Sequence, residues 1–236
     1  MDLQTRAVEA IGSGDVEALA SVLDAHPTLA TAYLSGDQEG RTLLHVATDW
    51  PGHRARVAET IRLLVERGAD VDAPFVGSHA ETALHWAASC DDVEALDALL
   101  EAGAAIDAPG GVIGDGTGTP LMDATVFAQW AAARRLLERG AATGGWEEAS
   151  LGLVDRLQAR LPAASQDQLD GWLWASAHGG QPGAARLLLD AGADPSRPAP
   201  WDGSTPLDEA GRAHDAGTPG AAAVRDLLGQ ARGATN

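Results

Sequence analysis

Lysine is absent from this chain, and asparagine occurs once, at Asn236. All 16 basic residues are arginines, set against 34 Asp and Glu, for a formal net charge of −18. A surplus of that size repels nucleic-acid phosphate and anionic lipid and excludes both as natural partners, while it suits a basic protein. Cysteine is limited to Cys90, so no internal disulfide can form. No apolar run approaches the roughly 18 residues needed to cross a bilayer. The opening MDLQTRAVEAIGSGDVEAL has no basic segment followed by an apolar stretch and does not read as a signal peptide. Together these point to the cytoplasm. The lysine-free, Ala/Gly/Arg-rich usage suggests a GC-rich bacterial genome. Phosphate-binding GxxxxGK[ST], a dinucleotide GxGxxG in a strand–helix context and a GxSxG elbow are also lacking, so no organic cofactor is expected.

What is present is an internal repeat. Four short motifs align: TLLHVA at 42–47, TALHWA at 82–87, TPLMDA at 119–124 and TPLDEA at 205–210. Four longer ones, read as second-helix endings, also align: LLVERGADVDA at 63–73, LLEAGAAIDA at 99–108, RRLLERGAAT at 134–143 and RLLLDAGADPS at 186–196. Thr42, Thr82, Thr119 and Thr205 are suited to cap helix N-termini, and Pro120 and Pro206 to the first helical position, where a missing N–H costs nothing. The leucine pairs 63/64, 99/100, 136/137 and 187/188 supply an apolar stripe for a second helix. Gly68, Gly103, Gly140 and Gly192 can end it in the left-handed conformation. Weaker units at 8–27, 146–161, 169–192 and 205–230 fill the remainder, giving seven expected helical pairs.

These motifs, with the first three glycines near a 33-residue period, resemble the ankyrin-repeat family over nearly the whole chain. The resemblance implies an all-α solenoid of about seven helix–turn–helix pairs with extended turn loops. It reads as one domain over 1–236, with an N-terminal cap at 1–35 and repeats at 36–72, 73–107 and 108–143. A short repeat at 144–164, a repeat at 165–197 and a C-terminal cap at 198–236 complete it. Charged caps suggest a monomer. The turns 73–81 and 107–118 are long, the second rich in glycine (Gly110, Gly111, Gly114, Gly116 and Gly118), and 51–60 lengthens one helix–helix connection. Long loops in a compact repeat are often functional.

The resemblance also implies a docking surface on the turn tips and first helices. Carried onto this sequence it covers Arg41, Asp49, Trp50, His79, Glu81, Ser89, Cys90, Gly118, Val126, Phe127 and His178, with Trp130 as a further wall. His45 and His85 stand where the family's histidine ties adjoining loops through backbone hydrogen bonds. Met122 and Asp208 hold that slot elsewhere. Trp86 and Trp174 are expected to be buried, Trp50 to project outward. Asp123 fills the slot that Val46 and Trp86 occupy, so either a backbone or arginine partner must satisfy it, or its pKa is raised in a pocket.

Two classes of function follow. The first is a scaffold that presents an acidic, Trp/His-containing surface to a protein partner, in one version as an inhibitor or immunity protein. The second is a small-molecule binder or cofactor-independent acid–base isomerase, cyclase or hydrolase, with Asp49, His53, Glu81 and Asp123 as candidate catalytic groups. The spacing of His79, Glu81 and His85 matches no recognised zinc pattern, so no metal is expected. Cys90 is a poor nucleophile, because Asp91 and Asp92 disfavour its thiolate.

Overall fold

The computed structural model describes residues 2–113 and 116–234; Gly114 and Asn236, noted above, lie outside them. Among the described residues are fourteen α-helices, three short 3-10 turns and no strand, an all-α repeat solenoid. The chain divides into two compact units, Met1–Ala142 and Thr143–Asn236.

The first unit holds four helical pairs. They are α1 (Leu3–Ser13) with α2 (Val16–Ala25), and α3 (Leu43–Thr48) with α4 (Val57–Glu66). Then come α5 (Ala83–Ser89) with α6 (Val93–Glu101), and α7 (Pro120–Val126) with α8 (Trp130–Glu138). The second unit holds α9 (Gly145–Ser150) with α10 (Val154–Arg160), α11 (Gln166–His178) with α12 (Pro182–Asp190), and α13 (Pro206–Asp215) with α14 (Ala221–Ala234).

Of each leucine pair, the member four residues before the terminal glycine is fully buried: Leu64, Leu99, Leu136 and Leu188 all have 0% exposure. Burial of one such side chain contributes roughly 1.5–3 kcal/mol. The paired alanines Ala87 and Ala88 are equally buried and let neighbouring helices approach. Gly68, Gly103, Gly140 and Gly192 have φ of 90–97°, the left-handed region, as a helix stop requires.

The first helices start by two chemistries. At Thr119 and Thr205 the hydroxyl accepts the N–H of Met122 and Asp208. At Thr42 and Thr82 the histidine reaches back, and the threonine N–H donates to Nδ1 of His45 (3.2 Å) or His85 (3.1 Å). An accepting Nδ1 puts the proton on Nε2, which donates to the carbonyl of Glu81 from His45 and of Gly118 from His85. Each imidazole therefore fastens one repeat to the turn of the next. Burial pushes the His45 ring down to about 4 and lowers that of His85 also.

The turns join laterally. Val76 N–H donates to the Gly40 carbonyl, Ala80 N–H to that of Gly110, and Phe75 N–H to that of Glu81. A side chain on Gly40 (φ 79°) would collide with the Val76 carbonyl, and one on Gly110 (φ 130°) with the Ala80 carbonyl. The long turns thus lie against one another, and Gly111 and Gly118 pair antiparallel within the second. Below them, Asp72 and Asp107 accept the N–H groups of Ala105 and Ala142, a second tie repeated from turn to turn.

Candidate functional site

In the first unit, the end of α3, the helix α5 with the residues flanking it, Val112 and the end of α7 border a cleft of about 430 Å³. Asp49, Trp50, Glu81, Ser89, Cys90 and Phe127 line it, all expected from the sequence, together with Trp86, Val112 and Gln129. Trp50 is 80% exposed, and Val112 and Phe127 are about half exposed, so the rim is apolar and open.

Glu81 is the polar centre of this cleft and is 7% exposed. Its Oε2 accepts the indole N–H of Trp86 at 2.9 Å, and its Oε1 accepts the N–H of Val112 at 3.0 Å. His79 Nδ1 stands 3.4 Å from Oε2, with its ring stacked on Phe75 at 4.4 Å between centroids. Trp86 is half-buried rather than fully covered. Its ring meets His45 edge to face at 4.9 Å and carries the Arg41 guanidinium 5.2 Å from its centroid. Arg41 in turn donates to Asp49 at 2.7 Å. The wall of the cleft is thus a layered set of aromatic and charged groups, each held by the next.

Asp123 lies behind that wall with 0% exposure. Neither oxygen is paired with a backbone N–H or an arginine, so the partner considered from the sequence is not there. Burial, reinforced by the neighbouring charge of Glu81 and by a hydrogen bond to its side chain, pushes the Asp123 carboxyl up to about 8. At neutral pH Asp123 therefore holds its proton beside Glu81.

Other candidates are placed elsewhere. His53, at φ 53°, takes part in the lengthened connection: its N–H donates to Asp92 and its Nε2 lies 3.1 Å from the Cys90 carbonyl. It does not line the cleft with Glu81 or Asp49. Val126 and Trp130 are half-buried beside the cleft without lining it. His178 belongs to the second unit, stacked on Trp174 and 2.7 Å from Glu209. Cys90 lines the cleft, but burial and the charges of Asp49 and Asp92 push its thiol up to about 11, away from the reactive thiolate. Among the described residues, no group of three or more His, Cys, Asp or Glu is placed to hold a metal ion. No helix of these residues is long and apolar enough to cross a membrane. Val112 and Gln129 were missed; the length of the turn 107–118 was the only signal for the former.

The repeat architecture agrees with comparison to known proteins. The model for three copies of the ankyrin repeat matches residues 59–144, and that for a single ankyrin repeat matches 39–74. This is an ankyrin-repeat protein. Solved structures similar in fold include the human ASB11 ankyrin repeat domain, at 24% identity and a TM-score of 0.53. That match covers 86% of this chain and 90% of that one. The ankyrin repeat domain of Bcl-3, a member of the IkappaB family, is 21% identical with a TM-score of 0.52, over 86% of this chain and 92% of that one. No curated protein matches. Ankyrin repeats generally serve as scaffolds for protein–protein interaction, and the cleft of this ankyrin-repeat protein lies within the matched segment.

Proposed function

We propose that this protein is a non-catalytic scaffold whose cleft in the first unit receives a basic segment of a protein partner. The observation that carries this reading is Trp50, an 80% exposed indole beside Val112 and Phe127, above the buried carboxylate of Glu81. Exposed tryptophans of this kind are favoured binding hot spots, since they contribute large apolar contact with few torsions to fix. An incoming arginine or lysine would place its stem against the indole and its charge towards Glu81 and Asp49. The charge of −18 would steer such a partner before contact. A peptide-display selection on the immobilised protein tests this. Enrichment of Arg/Lys-containing peptides with an adjacent apolar residue, lost on Trp50→Ala, is expected; enrichment unchanged by that substitution would overturn it.

A second reading rests on Asp123. A protonated carboxyl against an ionisable one is a recurrent acid–base arrangement, and a small ligand in the cleft would meet Glu81 first. In this reading Asp123 supplies the proton through Glu81, and Asp123→Asn should abolish turnover while leaving peptide binding intact. Turnover retained in that variant would remove Asp123 from any mechanism.

A further inference from the structure

The second unit contains a cleft of about 350 Å³ separate from the one already described, formed by the first turns of α11 and the turn before α13. Trp174 and Trp201 form its corner, their planes at 84° and their centroids 5.1 Å apart. Trp146 stacks on Trp174 at 5.7 Å and meets Trp201 edge to face. The indole N–H of Trp174 is fixed by Ser204 at 3.0 Å, whereas Trp201 leaves 55% of its surface open. Three of the seven tryptophans thus build one rigid angle with an exposed face.

The floor is acidic. Asp170 is 7% exposed, and its Oδ1 accepts from Gln166 Nε2 and from the Asp194 N–H, each at 2.8 Å. Its Oδ2 accepts no hydrogen bond from the described residues, and Asp170 lines the cleft. Asp167 stands at the rim, where Arg197 approaches it at 3.3 Å in an exposed ion pair. Glu209, the nearby acid on α13, is already engaged by His178 and Arg212.

We propose that this cleft is a second binding site, for the guanidinium group of an arginine side chain in a peptide or protein partner. A planar cation stacks on an exposed indole through the negative face of the ring. It also carries N–H donors in its plane, and these can reach the open oxygen of Asp170 while the plane lies on Trp201. A quaternary ammonium would satisfy the rings but has no N–H for Asp170. A neutral group would leave the charge of the buried carboxylate uncompensated, and an anionic one would repel it.

The test is a titration of the full chain, followed by NMR of the tryptophan indole N–H signals, with the peptide acetyl-Gly-Arg-Gly-amide. The same peptide with citrulline or lysine in place of arginine is the comparison. The arginine peptide is expected to shift the Trp174 and Trp201 signals saturably. Citrulline, the neutral isostere, should bind at least tenfold more weakly, and lysine several-fold more weakly. Asp170→Asn should weaken arginine binding at least tenfold, and Trp201→Ala should do the same, read at Trp174. Trp201 is largely exposed, so that variant decides the matter if Asp170→Asn fails to fold. Trp50→Ala should leave the shifts of Trp174 and Trp201 unchanged, separating this site from the first cleft. Shifts confined to Trp50 and Trp86, equal binding of the citrulline or lysine peptide, or no shift at all would overturn the assignment.

Discussion

Asp123 occupies a slot that its counterparts Val46 and Trp86 fill with apolar atoms, and it does so without a backbone N–H or an arginine to pair with it. Its carboxyl is pushed up to about 8 in the folded chain, far above the usual range, chiefly by burial. The folded state therefore holds this proton more tightly than the unfolded chain. The resulting stabilisation is complete below about pH 4 and is lost as pH rises through 8. Asp123→Asn should remove this slope, so its melting temperature should gain on the native chain between pH 5 and pH 9. A constant difference across that range, measured by thermal denaturation, would show that Asp123 is not the titrating group. Trp50→Ala has the opposite character: with the ring 80% exposed, its effect on stability should stay within about 0.5 kcal/mol. The oddity of Asp123 was legible in the sequence because the repeat supplies an aligned apolar slot. That its neighbour is Glu81 rather than a backbone N–H or an arginine was not, since that depends on which turn atoms come near. Nor could spacing reveal that His53 turns to the Cys90 carbonyl, because the lengthened connection has no counterpart in the other repeats.

In the pairs α3–α4 and α5–α6, the histidine slot ties the first helix to the next turn. His45 and His85 are buried and neutral, joined on both ring nitrogens. The His45 ring is pushed down to about 4 and that of His85 is lowered too, so the unfolded chain takes up protons first as pH falls. Stability from these ties is present above about pH 6.5 and declines as pH drops towards 4. His45→Ala should cost about 3 kcal/mol in urea denaturation at pH 7 and flatten the acid side of the profile; an effect below about 0.5 kcal/mol would mean the tie is dispensable. Leu99→Ala, four residues before the Gly103 stop, should cost about 2–5 kcal/mol by leaving a cavity. The pairs α3–α4, α5–α6 and α7–α8 were legible because threonine starts, buried leucines and glycine stops recur there in register, and the other four from partial or weaker signals. The long turns were visible as extra length only. Their lateral hydrogen bonds depend on Gly40 and Gly110 meeting neighbouring carbonyls, which no spacing within a single turn encodes.

For the molecule as a whole, charge and composition set the terms of association. With 34 acidic residues against 16 arginines, encounter with a basic partner should be fast at low salt and slow steeply as ionic strength rises. Dissociation, governed by the packed contacts of Trp50, Phe127 and Val112, should change much less with salt. The acidic charge on which the proposed basic partner rests was readable from composition alone, whereas the cleft that would receive it was not. The direct measurement is quantitative affinity capture from the native host, with the wild-type chain and Trp50→Ala compared side by side. A basic protein captured by the wild type and depleted at least tenfold by the substitution is the expected result. The same proteins captured equally by both chains would contradict a docking role for this cleft.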